Sequence, residues 1–329
     1  MSTQYITTES DLLKLPKHGI TPLSQEEWKR LKPDIHLALI EADHLVSRCS
    51  VWQNSLRPED GKAPAAIGHF EAADSEAGTK ILKAACQWLA QRGCQLAVGP
   101  MDANTWNKYR LVTYSNGRSP FLLEPSHPTF YVEAWNRAGF EPLVEYHSTE
   151  MPPKTEADPR LEKTKSRLQT LGVSIRNLRL DEYERDLGGI YVVSRRAFEP
   201  NNFYTPIEEK DFLKIYRPYQ DKIDPELVFI AERAGETVGF VFGIPDLSQR
   251  VRNETIDTVI YKTIATLPRR EFAGLGMWLS HLAHCQAARK GYRKFINALI
   301  TSQSKLRYAE ENETVEFRRY TLFGRLLEE

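Results

Sequence analysis

Two stretches of this chain read as helices of one length, each held between glycines. Gly78 and Gly93 bound the first, Gly276 and Gly291 the second, and both spacings are fifteen residues. Ile81, Leu82, Ala85, Trp88 and Leu89 recur at helical spacing in one. Leu275, Trp278, Leu279 and Leu282 do so in the other, so each helix has one face to bury. The closing glycine of each is a helix stop, because only glycine turns left-handed there without cost. What surrounds the helices repeats as well. Residues 36–40, 45–52 and 65–71 read as strands before the first helix, and 95–99 as a strand after it. Residues 227–233 and 237–244 read as a hairpin around Gly235. Thr258 to Thr266 is a β-branched strand before the second helix, and 294–299 a strand after it. Ala85-Cys86-Gln87 in one helix answers His284-Cys285-Gln286 in the other. The same order of parts twice is the mark of an internal duplication.

A length of 329 residues accommodates two such units. They are expected at 1–150 and 173–329. Residues 151–172, which open with Pro152-Pro153 and are rich in charge, read as a linker with a solvated helix over 159–171. With 41% hydrophobic and 27% charged residues, the chain can bury a core. Its 44 basic and 44 acidic residues cancel, which argues against duplex nucleic acid or an anionic membrane as a broad partner. The first ten residues lack a basic stretch followed by an apolar one. No apolar run approaches the roughly 18 residues that cross a bilayer, so a cytoplasmic location is expected. Cys49, Cys86, Cys94 and Cys285 form no Cys-x-x-Cys pair and read as reduced, buried thiols. His281 and His284 lie three apart with no third ligand nearby, so no metal is expected.

The sharpest chemical signal is the segment Thr266-Leu267-Pro268-Arg269-Arg270-Glu271-Phe272-Ala273-Gly274-Leu275-Gly276-Met277. A strand enters a turn with two glycines and leaves it as an amphipathic helix. The first N–H groups of a helix have no internal partner, and the dipole adds positive charge there. Together they suit a diphosphate, and glycine lets the phosphate oxygens approach. Arg269 and Arg270 can add charge-assisted bonds. The pattern lacks the Gly-Lys-Ser/Thr of a nucleotide-triphosphate loop and the third glycine of a dinucleotide turn.

Here the sequence resembles the GNAT superfamily of N-acetyltransferases. The family motif, Gln/Arg-x-x-Gly-x-Gly/Ala, is matched by Glu271-Phe272-Ala273-Gly274-Leu275-Gly276, with Glu271 departing at the first position and Pro268 where a proline is common. The backbone amides from Phe272 to Met277 remain. A carboxylate at Glu271 is unfavourable beside a diphosphate unless it points away or pairs with Arg269 or Arg270. The resemblance implies that Ile264, Ala265 and Thr266 bond the pantetheine arm through their backbone. It extends to Thr301-Ser302-Gln303-Ser304 followed by Tyr308, where Thr301 departs from the usual Asn, and to a closing strand over 317–327. Aligning the helices on their glycines puts Asp74 and Glu76 of the first copy where the second has Phe272 and Gly274. That copy is expected to cap its own helix and to serve as a structural or acceptor-shaping half.

The resemblance implies an α/β fold of two tandem modules, each a mixed, mostly antiparallel sheet flanked by helices. It implies acyl-CoA, foremost acetyl-CoA, as cosubstrate. The amine acceptor, a small molecule or a peptide, attacks directly. Tyr308 is expected to protonate the leaving thiolate. The candidate bases are Glu199, foremost, with Glu208 and Glu209, in an aromatic stretch with Phe198, Phe203 and Tyr204, and the resemblance also allows deprotonation through water. A monomer is preferred over a dimer. Two other readings stay open: a sensor or scaffold that binds CoA without turnover, which Glu271 and Thr301 favour, and an aminoacyl-tRNA-dependent transferase, which would not need Gly274 and Gly276.

Overall fold

The computed structural model describes residues 2–58, 61–156, 159–301 and 314–327, the side chain of Arg160 excepted. Its first half runs β1 (Ser2–Ile6), α1 (Glu9–Leu12), α2 (Gln25–Leu31), β2 (Ile35–Glu41), β3 (His44–Trp52), β4 (Pro64–Ala72), α3 (Ser75–Ala90), β5 (Leu96–Gly99), β6 (Leu111–Ser115), α4 (Phe130–Arg137) and β7 (Glu141–Met151). Then follow α5 (Pro159–Thr170), β8 (Val173–Asn177), α6 (Tyr183–Phe198), α7 (Glu209–Tyr216), β9 (Val228–Arg233), β10 (Glu236–Pro245), α8 (Ser248–Val251), β11 (Thr258–Thr266), α9 (Leu275–Arg289), β12 (Lys294–Thr301) and β13 (Val315–Leu326). The two glycine-bounded helices are α3 and α9. Gly93 and Gly291, which follow them, have φ of +75° and +82°. Ile81, Leu82, Ala85 and Leu89 of α3 are buried, while Trp88 lies at the margin under the guanidinium of Arg92.

All the strands belong to one mixed sheet in the order β1-β2-β3-β4-β5-β13-β7-β12-β11-β10-β9-β8, with β6 beside β13. Neighbours are antiparallel except for two parallel pairs, β4–β5 and β11–β12. The two halves exchange their closing strands. β13, the last strand of the chain, pairs with β5 of the first half through Phe323↔Gly99 to Leu326↔Leu96. β7, which closes the first half, pairs with β12 of the second through Phe295↔Met151 to Thr301↔Tyr146. β13 and β7 also pair with each other, from Val315↔Glu150 to Gly324↔Glu141, so the sheet is continuous from one half to the other. β13 accordingly feeds two cores. Phe317 packs with the α9 side of the molecule and Phe323 with α3 and Trp135.

The segment read as a solvated linker helix is more than that. α5 keeps Leu161 and Leu168 buried in the second core and lies against α9. Two leucines seven residues apart make a narrow apolar stripe, enough to dock a helix that is otherwise polar. Cys49, Cys86 and Cys94 are buried free thiols and Cys285 is half-buried. Burial pushes the Cys86 thiol up to about 12. Among the described residues no helix is long and apolar enough to cross a membrane.

Candidate functional site

A parallel strand pair that stops pairing part-way opens a wedge in a sheet, because each strand leaves one edge of backbone groups unmatched. Both parallel pairs here do this. β11 and β12 pair from Thr258↔Lys294 to Tyr261↔Asn297 and no further, although β11 continues to Thr266 and β12 to Thr301. β4 and β5 pair from Pro64↔Leu96 to Ala66↔Val98.

The chain treats the two wedges differently. After β5 it turns back toward β4: Met101 N–H donates to the Ile67 carbonyl (2.8 Å) and His69 N–H to Asp102 Oδ1 (2.6 Å). A Cβ on Gly68 would lie 2.3 Å from the Met101 carbonyl oxygen, so the chain's own backbone fills that wedge. After Asn297, β12 bulges the other way. Leu299 takes φ +58° and donates its N–H to Ser148 Oγ on β7 (2.9 Å), away from β11. Ser148 Oγ also meets the Tyr320 hydroxyl (3.0 Å). That hydroxyl donates to Glu124 Oε1 (2.5 Å), which pairs with Arg318 (2.7 Å) at nearly complete burial. The exchanged strand β13 thus anchors the bulge that keeps the second wedge open.

The result is a cavity of about 1420 Å³ between the halves. Lys262 to Thr266 and Asn297 to Thr301 line it, as do Trp106, Arg110, Glu124 and Tyr146.

The two helix starts differ as the sequence implies. Asp74 caps α3, its Oδ1 accepting from Ala77 N–H at 2.8 Å. α9 begins at Gly274, with φ +83° and no side-chain cap. Thr164 of α5 stands beside this turn, where a Cβ on Gly274 would lie 2.6 Å from its Cγ2. Glu271 pairs with neither Arg269 nor Arg270. Its carboxylate reaches Arg233 (2.8 Å), and its carbonyl accepts from Arg167 (2.7 Å), which also bonds the Ala273 carbonyl. The acid is thereby tied to the β9 side of the turn.

Of the residues expected at the site, Ile264, Ala265, Thr266 and Thr301 line the cavity. Gly274, Leu275, Gly276 and Met277 form the helix start. Leu275 and Phe272 turn their side chains into the core, so only their backbone is on offer. Arg269, Arg270 and Ala273 are exposed on the turn. Glu199 lies exposed just past the end of α6, its carbonyl accepting from Arg57 (3.1 Å), and is not among the cavity-lining residues. Its neighbours Phe198 and Tyr204 are. Ser304 and Tyr308 fall outside the described residues. His284 is buried, stacked on Phe295, and accepts from Lys154 N–H. Burial holds its pKa down at about 3. His281 approaches Cys285 Sγ instead.

The same architecture recurs in solved proteins. A GCN5-related N-acetyltransferase from Anabaena variabilis ATCC 29413 superposes with TM-score 0.54, covering 99% of this chain and 73% of that one at 9% identity. The chain has the GNAT fold. A protein of unknown function from Enterococcus faecalis V583, described as a probable N-acyltransferase, shares this GNAT architecture with TM-score 0.55, 11% identity and coverage of 100% and 73%. At the level of sequence, a bacterial ceramide synthase of Caulobacter vibrioides (strain NA1000 / CB15N) is 26% identical over 264 residues, 75% of this chain and 68% of that protein. No family model matches the chain. In GNAT terms, β11, α9 and β12 are the strand, helix and strand that carry the motif read from the sequence.

Proposed function

We propose that this protein is an acyl-CoA-dependent N-acyltransferase whose donor lies between β11 and β12. The observation that carries the reading is the contrast between the two wedges. One is filled by its own chain beside a helix start capped by Asp74. The other is open and is lined by β11 up to Thr266; the uncapped start at Gly274 follows that strand, although its own residues are not among those lining the cavity. The diphosphate would rest on the N–H groups of α9. The pantetheine arm would follow the unmatched edge of β11 at Ile264, Ala265 and Thr266, bringing the thioester to where the strands part. The first half, with no room for a donor of its own, shapes the acceptor side.

In the reaction a neutral amine attacks the thioester carbonyl. A backbone N–H of β11 polarises that carbonyl; as the C–N bond forms and the C–S bond breaks, the nitrogen gives up a proton to water and the departing thiolate takes one, the role assigned to Tyr308. Acetyl-CoA is the first donor to test. Longer acyl chains with a lipid amine form a second reading, favoured by the cavity volume, which exceeds the roughly 300–1,000 Å³ of ordinary small-molecule pockets, and by the ceramide-synthase relative. Calorimetric titration of acetyl-, octanoyl- and palmitoyl-CoA into the wild type and into a Gly274→Asp/Gly276→Asp variant is the test. Binding in the wild type that the variant abolishes supports the site. Binding that survives in the variant rejects it. No binding at all by the wild type rejects the donor class and returns the RNA-dependent reading to consideration.

A further inference from the structure

Arg110 is held in an unusual setting. It precedes β6 with φ +69°, a backbone conformation that side-chain-bearing residues rarely adopt. Its guanidinium packs over the rings of both Tyr109 (3.8 Å) and Tyr146 (4.1 Å), which stand edge to face with each other. The residue is only 8% exposed, and Nε and Nη1 have no hydrogen-bond partner among the described residues, although it lines the large cavity. Aromatic faces attract a cation but accept none of its five N–H bonds in the plane of the fork. A guanidinium so far out of water ordinarily has a carboxylate against it.

Among the described residues four carboxylates line the cavity, and none is bonded to Arg110. Glu124 is held by Arg318 and Tyr320, Glu71 by Arg48, Asp102 by His69 N–H, and Glu27, in the first turn of α2, accepts from Ser24 Oγ (3.3 Å). A second cation faces the same space. Lys262 is the first residue of β11 beyond its last pair with β12. Burial, and after it the charge of Arg110, push its pKa down. Lys262 lies four residues before Thr266, about 13 Å along the strand at roughly 3.3 Å per residue, so it is remote from the diphosphate turn.

We infer that Arg110 and Lys262 form an anion subsite where β11 and β12 part, and that the acceptor is an amine bearing a carboxylate or a phosphate near its nucleophilic nitrogen. The inference rests on the acyltransferase reading for the word acceptor; the anion subsite itself does not. A bound anion would give the guanidinium the in-plane partners it lacks and would fix the amine beside the thioester.

The test compares matched amines with and without the anionic group. Affinities of the full chain for phenylalanine against phenylalaninamide, and for phosphoethanolamine against ethanolamine, are measured by calorimetry in the wild type and in Arg110→Gln. Acetyl-CoA is titrated in parallel. The expected result is a preference of about tenfold or more for one anionic member, falling toward one in the variant. Preference for the amino acid alone identifies a carboxylate, and for phosphoethanolamine alone a phosphate. No preference in the wild type overturns the inference, as does a preference that Arg110→Gln leaves intact. Should Arg110→Gln lose its cooperative unfolding, Lys262→Met is read by the same ratio. Acetyl-CoA binding without an anion preference sinks the subsite and leaves the transferase reading standing. An anion preference without acetyl-CoA binding does the reverse. Loss of acetyl-CoA affinity in Arg110→Gln with no amine preference would mean that Arg110 serves the donor.

Discussion

Replacing Gly274 with alanine tests the helix start that the donor site depends on. Two separable costs follow from the geometry. Gly274 sits at φ +83°, where an alanine is worse off by about 1–2 kcal/mol. Its new Cβ would also lie 2.6 Å from Thr164 Cγ2 and 3.4 Å from Oγ1, an overlap of the kind that costs about 1–3 kcal/mol. Thr164 cannot easily swing aside. It is β-branched within α5, and that helix is pinned by buried Leu161 and Leu168. The total is therefore about 2–5 kcal/mol. In a Thr164→Ser background the clashing methyl is gone, and the same substitution should cost only the backbone part. Urea unfolding of the four proteins, followed by far-UV circular dichroism, gives the coupling directly. We expect about 1–3 kcal/mol. Costs that add within about 0.5 kcal/mol would refute the packing argument. Acyl-CoA titration of the same set adds a functional reading. The Cβ itself obstructs the phosphate, so affinity should stay low in the double variant even as stability returns. Recovery of both together would mean that Gly274 serves only to pack α5.

Three further outcomes are expected. Expressed separately, residues 1–172 and 173–329 each lack a strand that the other carries. β13 alone buries Phe317, Tyr320, Leu322 and Phe323 at 1% exposure or less, about 6–12 kcal/mol at roughly 1.5–3 each. Neither fragment should unfold cooperatively alone, and mixing them should restore the transition; two independently folded fragments would contradict the exchanged topology. Glu124→Gln strands the Arg318 charge at 5% side-chain exposure and should cost about 3–5 kcal/mol in urea, with a cost below 1 kcal/mol refuting the network's importance. Acid should destabilise the fold: burial holds His69 and His284 at about 3, so the folded state refuses protons that the unfolded chain takes up below about 6.5. Their stabilisation is complete above that pH and fades toward pH 3, at up to about 1.4 kcal/mol per unit for each. Asp102, raised to about 6 chiefly by burial, acts in the opposite direction. Urea midpoints between pH 7 and 4.5 should therefore fall more steeply in Asp102→Asn than in the wild type, and equal slopes would count against this assignment.

What the sequence disclosed and what it withheld divide along a physical line. Features set by neighbours along the chain were legible: the periodicity of α3 and α9, the β-branched run of β11, the glycine start at Gly274 and the self-capping Asp74. Features set by what folds against what were not. Glu141–Met151 mixes exposed and buried positions without clean alternation, so β7 gave no strand signal, and nothing local in β13 names β5 as its partner. Arg110 belongs to no motif; it became visible only when Tyr146, thirty-six residues on, was placed over its guanidinium. Opening of a wedge is likewise a tertiary property. Both parallel pairs are built to part, and their local sequences say little about which will stay open. The decision lies in the first residues after each pairing ends. Met101 and Asp102 find their hydrogen bonds on β4, whereas Leu299 finds its own on β7. β7 stands beside β12 only because the halves exchange closing strands. Each half holds a parallel pair that parts, and the exchange gave one of the two a second neighbour, β7, to which its strand turns as it leaves β11.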